Sequence, residues 1–330
     1  MSQINRRTLL AGAAATGALA ATATIAQDDK IKPIPDMKGK SVLITGCSSG
    51  FGRLAAEHFA RAGAKVFATM RRLPRQEADE LRVLALNEKL DLQVIEIDVT
   101  SDKQVEEGVK QALVASGGTL DVLINNAGVS YGGPVEIQDM AATQHMFETN
   151  VFGPHRMARA VLPAMRAAKS GLIINVSSQL GRVIAPAYGQ YSPTKFALEA
   201  MSEAMAYELV PHGVEVTVIE PGGYPTNIWK NANENSLELL ARAEEEHLDG
   251  YRELIAQLGQ RTGGGSTDPM DVPRAMAEVI AMVPGTRPLR RAVHPGNKPQ
   301  LPINDLAASV QVDWLGASPY GPWIKVVHNA

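Results

Sequence analysis

Tyr191 and Lys195 stand four residues apart in "AYGQYSPTK", residues 187–195. On a helix that spacing puts both side chains on one face, one turn apart. A free phenol has a pKa near 10, too high for a base at neutral pH. A neighbouring ammonium favours the phenolate and lowers that value. Such a tyrosine can donate a proton to a carbonyl under reduction or take one from an alcohol under oxidation. Tyr188 has Ser192 at the matching place and is the poorer candidate. Pro193 falls inside the span, so the helix must begin near Gln190: proline is tolerated in a first turn, where its missing N–H has no intrahelical partner. The spacing also recurs by chance in ordinary amphipathic helices, and the rest of the chain has to decide.

Six short apolar runs could position the pair: "SVLIT" (41–45), "KVFAT" (65–69), "LQVIEIDV" (92–99), "DVLIN" (121–125), "GLIINV" (171–176) and "VEVTVI" (214–219). Segments of helical spacing lie between them. Ser101, with Gln104 three residues on, reads as a capping box, and Gly63 as the left-handed stop of the preceding helix. Runs apolar on both faces, alternating with helices, predict a parallel sheet covered on both sides. The expected fold is a doubly wound, Rossmann-like three-layer α/β/α domain over residues 39–295. Within it, 226–268 reads as one charged amphipathic helix and a flexible "RTGGGSTDP", placed to act as a lid or simply as a solvated helix. Residues 296–330 form a tail whose Pro- and Gly-rich sequence shows no clear pattern.

The first run leads straight into "TGCSSGFG" (45–52) and then a helix. Glycines at 46, 50 and 52 permit a tight turn and a close approach of backbone to a pyrophosphate, whose charge a helix N-terminus stabilises. An NAD site commonly has an acid at the end of the second strand for the ribose 2′-hydroxyl. Here Met70 holds that place, followed by Arg71 and Arg72. Guanidinium without carboxylate favours NADP(H) over NAD(H).

With these segments in order, the chain resembles the short-chain dehydrogenase/reductase family, in its compact single-domain branch. "TGCSSGFG", "NNAG" (125–128), "NVSS" (175–178), Tyr191 with Lys195, and "PGGYPT" (221–226) carry the resemblance, which spans roughly residues 40–226. It implies that Tyr191 is the acid/base and that Ser178 holds the substrate oxygen. Lys195 would hold the nicotinamide ribose and lower the tyrosine pKa, and Asn150 would position a water that relays protons from Lys195. For the cofactor it implies Gly46, Ser49, Gly50, Phe51 and Gly52 at the turn and Asp98 and Val99 at the adenine. Asn126, Ala127 and Gly128 would line the ribose, and Pro221, Gly222 and Thr226 would hold the carboxamide end. It also implies a homodimer or homotetramer.

Composition bounds the rest. The 330 residues are 45% hydrophobic and 20% charged, enough for a sizeable core. A formal charge of −3 and 5% aromatic residues argue against a nucleic-acid partner. Cys47 is the one cysteine, so no intramolecular disulfide can form. Residues 1–26 place Arg6 and Arg7 before an uncharged stretch rich in Ala, Gly and Thr, too weakly apolar for a stable membrane anchor. The layout predicts a twin-arginine signal peptide, with 27–38 as linker and a bacterial periplasmic location; an uncleaved leader on a cytoplasmic protein is the alternative. Losing its two arginines takes the charge from −3 to −5. The expected activity interconverts a small-molecule secondary alcohol and ketone with NADP(H). A non-catalytic nucleotide sensor, an NAD-preferring dehydrogenase, or a sugar-nucleotide epimerase or dehydratase are the competing readings.

Overall fold

The structure, a computed structural model, describes residues 35–330. The expected leader and most of the linker lie outside the described residues. Seven strands form one sheet: β1 (Ser41–Ile44), β2 (Lys65–Met70), β3 (Leu92–Glu96), β4 (Val122–Asn125), β5 (Gly171–Val176), β6 (Val214–Pro221) and β7 (Arg290–Val293). Their order is β3-β2-β1-β4-β5-β6-β7, and every neighbouring pair is parallel. The strand order reverses between β1 and β4, which opens a crevice at their C-terminal ends, where sheets of this kind bind ligands.

All residues of β1, β4 and β5 are buried, because helices cover both faces. On one face lie α1 (Gly50–Arg61), α2 (Gln76–Glu88) and α10 (Asp271–Ala281), which contribute Phe59, Leu81 and Met276 to the core. On the other lie α3 (Asp102–Ala115), α5 (Gly153–Ala168) and α6 (Tyr191–Leu209), which contribute Val109, Val161 and Leu209. Gly63 has φ +94°, as a helix stop requires. The capping box is half formed: Ser101 Oγ accepts from Gln104 N at 3.3 Å, but Gln104 Oε1 turns to accept the N–H of Asp98 at 2.7 Å. β7 has no apolar run to announce it. It is an edge strand of four residues that includes two arginines, and Arg290 points into the protein.

Residues 226–268 depart from the single helix expected. They form α7 (Asn227–Arg242), α8 (Glu245–Leu248) and α9 (Arg252–Ile255). The break falls at Ala243, whose ψ of 142° is extended, just before Glu244, Glu245 and Glu246. Three acids are unfavourable at the C-terminus of one helix and favourable in the first turn of the next. Gly250, at φ +83°, separates α8 from α9.

Residues beyond 296, featureless in sequence, form α11 (Leu301–Leu315) and α12 (Gly321–His328). These helices help close a buried charge cluster. Arg290 donates to Glu199 at 2.8 Å and to Glu203 at 2.6 Å. Glu220, fully buried, accepts from Asn304 of α11 at 2.8 and 3.1 Å. His328 of α12 lies 3.5 Å from Glu203, and Arg182 donates to Asn304 at 2.8 Å. Burial and the adjacent Glu199 push the Glu220 carboxyl up to about 7. Burial works the same way on Glu203, but His328 and Arg290 overcome it and hold that carboxyl at about 2.

Candidate active site

A cavity of about 580 Å³ opens at the C-terminal ends of the central strands, within the range of ligand pockets. At one end, β1 delivers the glycine turn. Gly46 and Gly50 have φ of +74° and +57°, which glycine adopts freely. A Cβ at Gly46 would stand 2.8 Å from Ala127 Cα, and one at Gly52 would collide with Asn126 Nδ2 and Gly46 O. The turn is thus pressed against the loop after β4. That loop holds it through polar contacts: Thr45 Oγ1 accepts from the N–H groups of Asn126 and Ala127 at 2.9 and 3.0 Å, and Asn126 Nδ2 donates to Thr45 O at 2.9 Å. Ser49, the N-cap of α1, makes no side-chain cap bond, so the first N–H groups of α1 keep their donors for a ligand.

All the residues expected at the cofactor line this one cavity: Gly46, Ser49, Gly50, Phe51, Arg71, Asp98, Val99, Asn126, Ala127, Gly128, Pro221, Gly222 and Thr226, with Gly52 packed beneath the turn. Arg71, just past β2, makes no salt bridge among the described residues. Arg72 is outside the lining, whereas Arg75 is in it, bidentate to Glu77 at 2.7 and 2.8 Å. Arg75 was not expected; it lies in coil beyond Pro74, where no strand or helix period marks it.

At the other end, α6 begins with Tyr191, half-buried against Ser178. Ser178 caps the short 3-10 turn Gln179–Gly181, accepting from Leu180 N at 3.1 Å. Lys195, one turn along, donates to Val176 O at 2.9 Å, and its Nζ lies 5.6 Å from the Tyr191 ring centroid. Asn150 sits in a π-helical turn, Glu148–Phe152, between α4 (Met140–Phe147) and α5; such turns recur at functional sites. Its Oδ1 accepts from Val129 N at 2.9 Å, while its Nδ2 donates to Val129 O at 2.9 Å and to Thr194 Oγ1 at 3.1 Å. A Cβ at Gly128 would sit 3.4 Å from Asn150 Oδ1 and 3.9 Å from Lys195 Nζ, so the three meet at one point.

Burial dominates the electrostatics. It pushes the Tyr191 phenol up to about 12, with the Ser178 hydrogen bond opposing and Tyr188 reinforcing. Burial also pushes Lys195 down to about 8, opposed by the charge of Glu199. The expected lowering of the phenol by the ammonium is not found in the protein alone: burial sets the direction and the Ser178 hydrogen bond is what opposes it. Trp229, Ile228 and Leu180 complete the wall at this end, and Trp229 packs on Gly263, where a side chain would collide with its indole. These wall residues carried no sequence signal, since only the folded path of α7 and the 3-10 turn brings them there.

The cavity has backbone donors and an unpaired guanidinium at one end and a half-buried tyrosine at the other. The Thr149 Oγ1 on its wall is buried without a partner. A dinucleotide fits this donor set, with phosphates at the α1 N-terminus and the reacting ring near Tyr191. Fold and site together define a nicotinamide-dependent oxidoreductase. The chain belongs to the short-chain dehydrogenase/reductase family, whose short chain dehydrogenase profile matches residues 40–237. It is 38% identical over 238 residues to the uncharacterized oxidoreductase YusZ of Bacillus subtilis, covering 72% of this chain and 82% of that one. It is 34% identical over 245 residues to 3-ketodihydrosphingosine reductase of Bacteroides thetaiotaomicron, covering 74% and 85%. A short-chain dehydrogenase/reductase from Burkholderia phymatum, solved in complex with NAD, superposes with a TM-score of 0.66 at 25% identity, covering 84% and 93%. The protein is an oxidoreductase that acts on CH–OH donors with a nicotinamide cofactor. None of the helices of the described residues is long and apolar enough to cross a membrane.

Proposed function

We propose that the protein reduces a ketone to a secondary alcohol with NADPH, with Tyr191 as the proton donor. The geometry around Tyr191 carries this reading: its phenol lies in the cavity beside Ser178, with Lys195 one turn along and 5.6 Å from its ring centroid. Ser178 donates to the substrate oxygen and steadies the charge that develops on it. Tyr191 gives its proton to that oxygen. Lys195, charged below about 8, sets the potential around the phenol. Asn150 fixes the loop after β4 and reaches the Lys195 side of Gly128, where a proton can be resupplied from solvent through water. When bound, the nicotinamide supplies the hydride. The ketone reductase among the relatives supports this direction.

The preference for NADPH rests on Arg71, which lines the adenosine end, makes no salt bridge among the described residues, and is near enough to Asp98 to favour its charged form. A planar guanidinium suits the 2′-phosphate. Fluorescence titration should show Arg71→Ala weakening NADPH about tenfold or more while NADH binding changes little, as expected for loss of a charge-assisted hydrogen bond. Equal weakening of both, or tighter NADH in the parent, would overturn the preference.

The pH dependence follows from the same groups. Tyr191 keeps its proton below about 12, so it sets no limb near neutrality. Lys195 loses its charge as pH rises through about 8. The kcat/KM for ketone reduction should be level from pH 6 to 7.5 and fall above about 8. An activity that instead rises across that interval would mean a different group is titrating.

A further inference from the structure

Arg261 stands beside the cavity wall at Tyr188, just before the lining residues Thr262 and Gly263, and resembles Arg71 in one respect: neither has an ion-pair partner among the described residues. Two other arginines around the lid are paired, Arg242 with Asp139 and Arg274 with Asp268. Arg261 is nonetheless held firmly. Its N–H donates to Asn233 Oδ1 at 3.1 Å and its carbonyl accepts from Asn233 Nδ2 at 2.8 Å, so one side chain of α7 clamps its backbone from both sides.

The guanidinium carbon lies 4.6 Å from the centroid of the Tyr188 ring. Tyr188 lines the cavity, as do Thr262 and Gly263, which follow Arg261 in sequence. Near the guanidinium the chain carries Gly132, where a Cβ would be 3.5 Å from Arg261 Nη1. A guanidinium stacked on an aromatic ring uses its flat face; its N–H donors lie in the plane, directed outward at the edge. Those donors form a fork that matches a carboxylate. No hydrogen bond from this fork is found among the described residues. The guanidinium is half-exposed, so its donors stand open to solvent or to a ligand, one aromatic ring from the reaction centre.

We propose that Arg261 binds the carboxylate of the substrate, which makes the substrate class an oxo acid and the product the corresponding hydroxy acid. This rests on the ketone-reductase reading of the same site. The carboxylate seats on the edge of the Arg261 fork beside Tyr188, and the ketone oxygen reaches Ser178 and Tyr191. Leu180, Ile228 and Trp229 contact the carbon chain between. The reaction balances as a two-electron reduction: the ketone carbon gains a hydride from NADPH and its oxygen gains the Tyr191 proton, which solvent replaces.

The test uses the full chain and a series of aliphatic oxo acids that differ in the spacing between ketone and carboxylate, each beside its methyl ester. Two readouts are taken: NADPH-dependent turnover, and the thermal shift each compound gives the NADPH-loaded protein. The parent should prefer one or more acids over their esters in kcat/KM by about tenfold or more, the worth of a hydrogen-bonded charge pair. Arg261→Met should collapse that ratio toward unity, and Arg261→Lys should retain part of it. The acid-specific thermal shift should be lost in Arg261→Met as well. Esters used as well as acids by the parent would overturn the inference while leaving ketone reduction intact. An equal loss for acid and ester in Arg261→Met would also overturn it, since that is a structural effect. If no compound turns over, the ketone-reductase reading fails, and the thermal shift alone decides whether Arg261 holds a carboxylate.

Discussion

Tyr191→Phe should lower kcat for ketone reduction by about a thousandfold, within the usual range for loss of a positioned general acid. The substitution removes one oxygen from a residue that is half-buried at the start of α6 and packed against a hydrophobic cluster, so the ring still fills its place. Two other phenols line the cavity, and both are engaged elsewhere: Tyr224 donates to Asp271 at 3.3 Å. Tyr188 sits three residues earlier, on the preceding loop, and its ring is engaged by Arg261. Lys195 donates to the carbonyl of Val176 and is 5.6 Å from the ring centroid, so it is turned to support the phenol rather than replace it. NADPH affinity should change far less than kcat, because the turn that holds the phosphates lies at the opposite end of the cavity. Stopped-flow turnover with a fluorescence titration separates the two. A variant that keeps more than about a tenth of parent activity would assign the proton to another group.

Arg290→Met should cost about 3–5 kcal/mol, the usual penalty for removing one partner of a buried ion pair. Arg290 is itself buried, its guanidinium donating to Glu199 and Glu203 and lying 3.9 Å from Glu220. Without it three buried carboxylates share Arg182 and His328 as the remaining basic groups nearby. The neighbouring Arg291 supplies the control. It is half-exposed and pairs with Glu278 at 3.0 Å, so Arg291→Met should change stability by about 0.5 kcal/mol or less. Urea unfolding of both variants measures the difference. Equal effects would mean that solvent reaches the Arg290 cluster, contrary to its burial. A loss of soluble protein confined to Arg290→Met would agree with the expectation, and Glu220→Gln in the same background should then restore part of the yield.

The sheet and the chemistry were legible because both rest on local rules. Apolar runs such as "GLIINV" are buried on both faces, and a glycine turn after the first strand has few other uses. Tyr191 and Lys195 could be paired because helical spacing is fixed by geometry. What the sequence hid depends on contacts between distant segments. Arg75 enters the cavity from coil, and Trp229 is aligned by a glycine more than thirty residues further on. β7 was invisible because an edge strand with Arg290 and Arg291 lacks the apolar run of a central one. The single helix expected after Thr226 breaks where three glutamates change a favourable helix end into an unfavourable one. The phenol of Tyr191 is the subtlest case: the cation beside it was predictable, but the burial that sets the direction of its shift is a property of the folded cavity.

The charge cluster beneath α6 also constrains how the chain is made. Glu199, Glu203 and Glu220 leave the ribosome long before Arg290, Asn304 and His328, which complete their contacts. A nascent chain that ends before residue 290 therefore carries three carboxylates at a place the finished protein keeps dry. Until the later residues arrive, Arg182 is the basic group those carboxylates have nearby. The catalytic half of the molecule is translated early, but the carboxylates beneath it gain their full set of partners only when α11 and α12 dock.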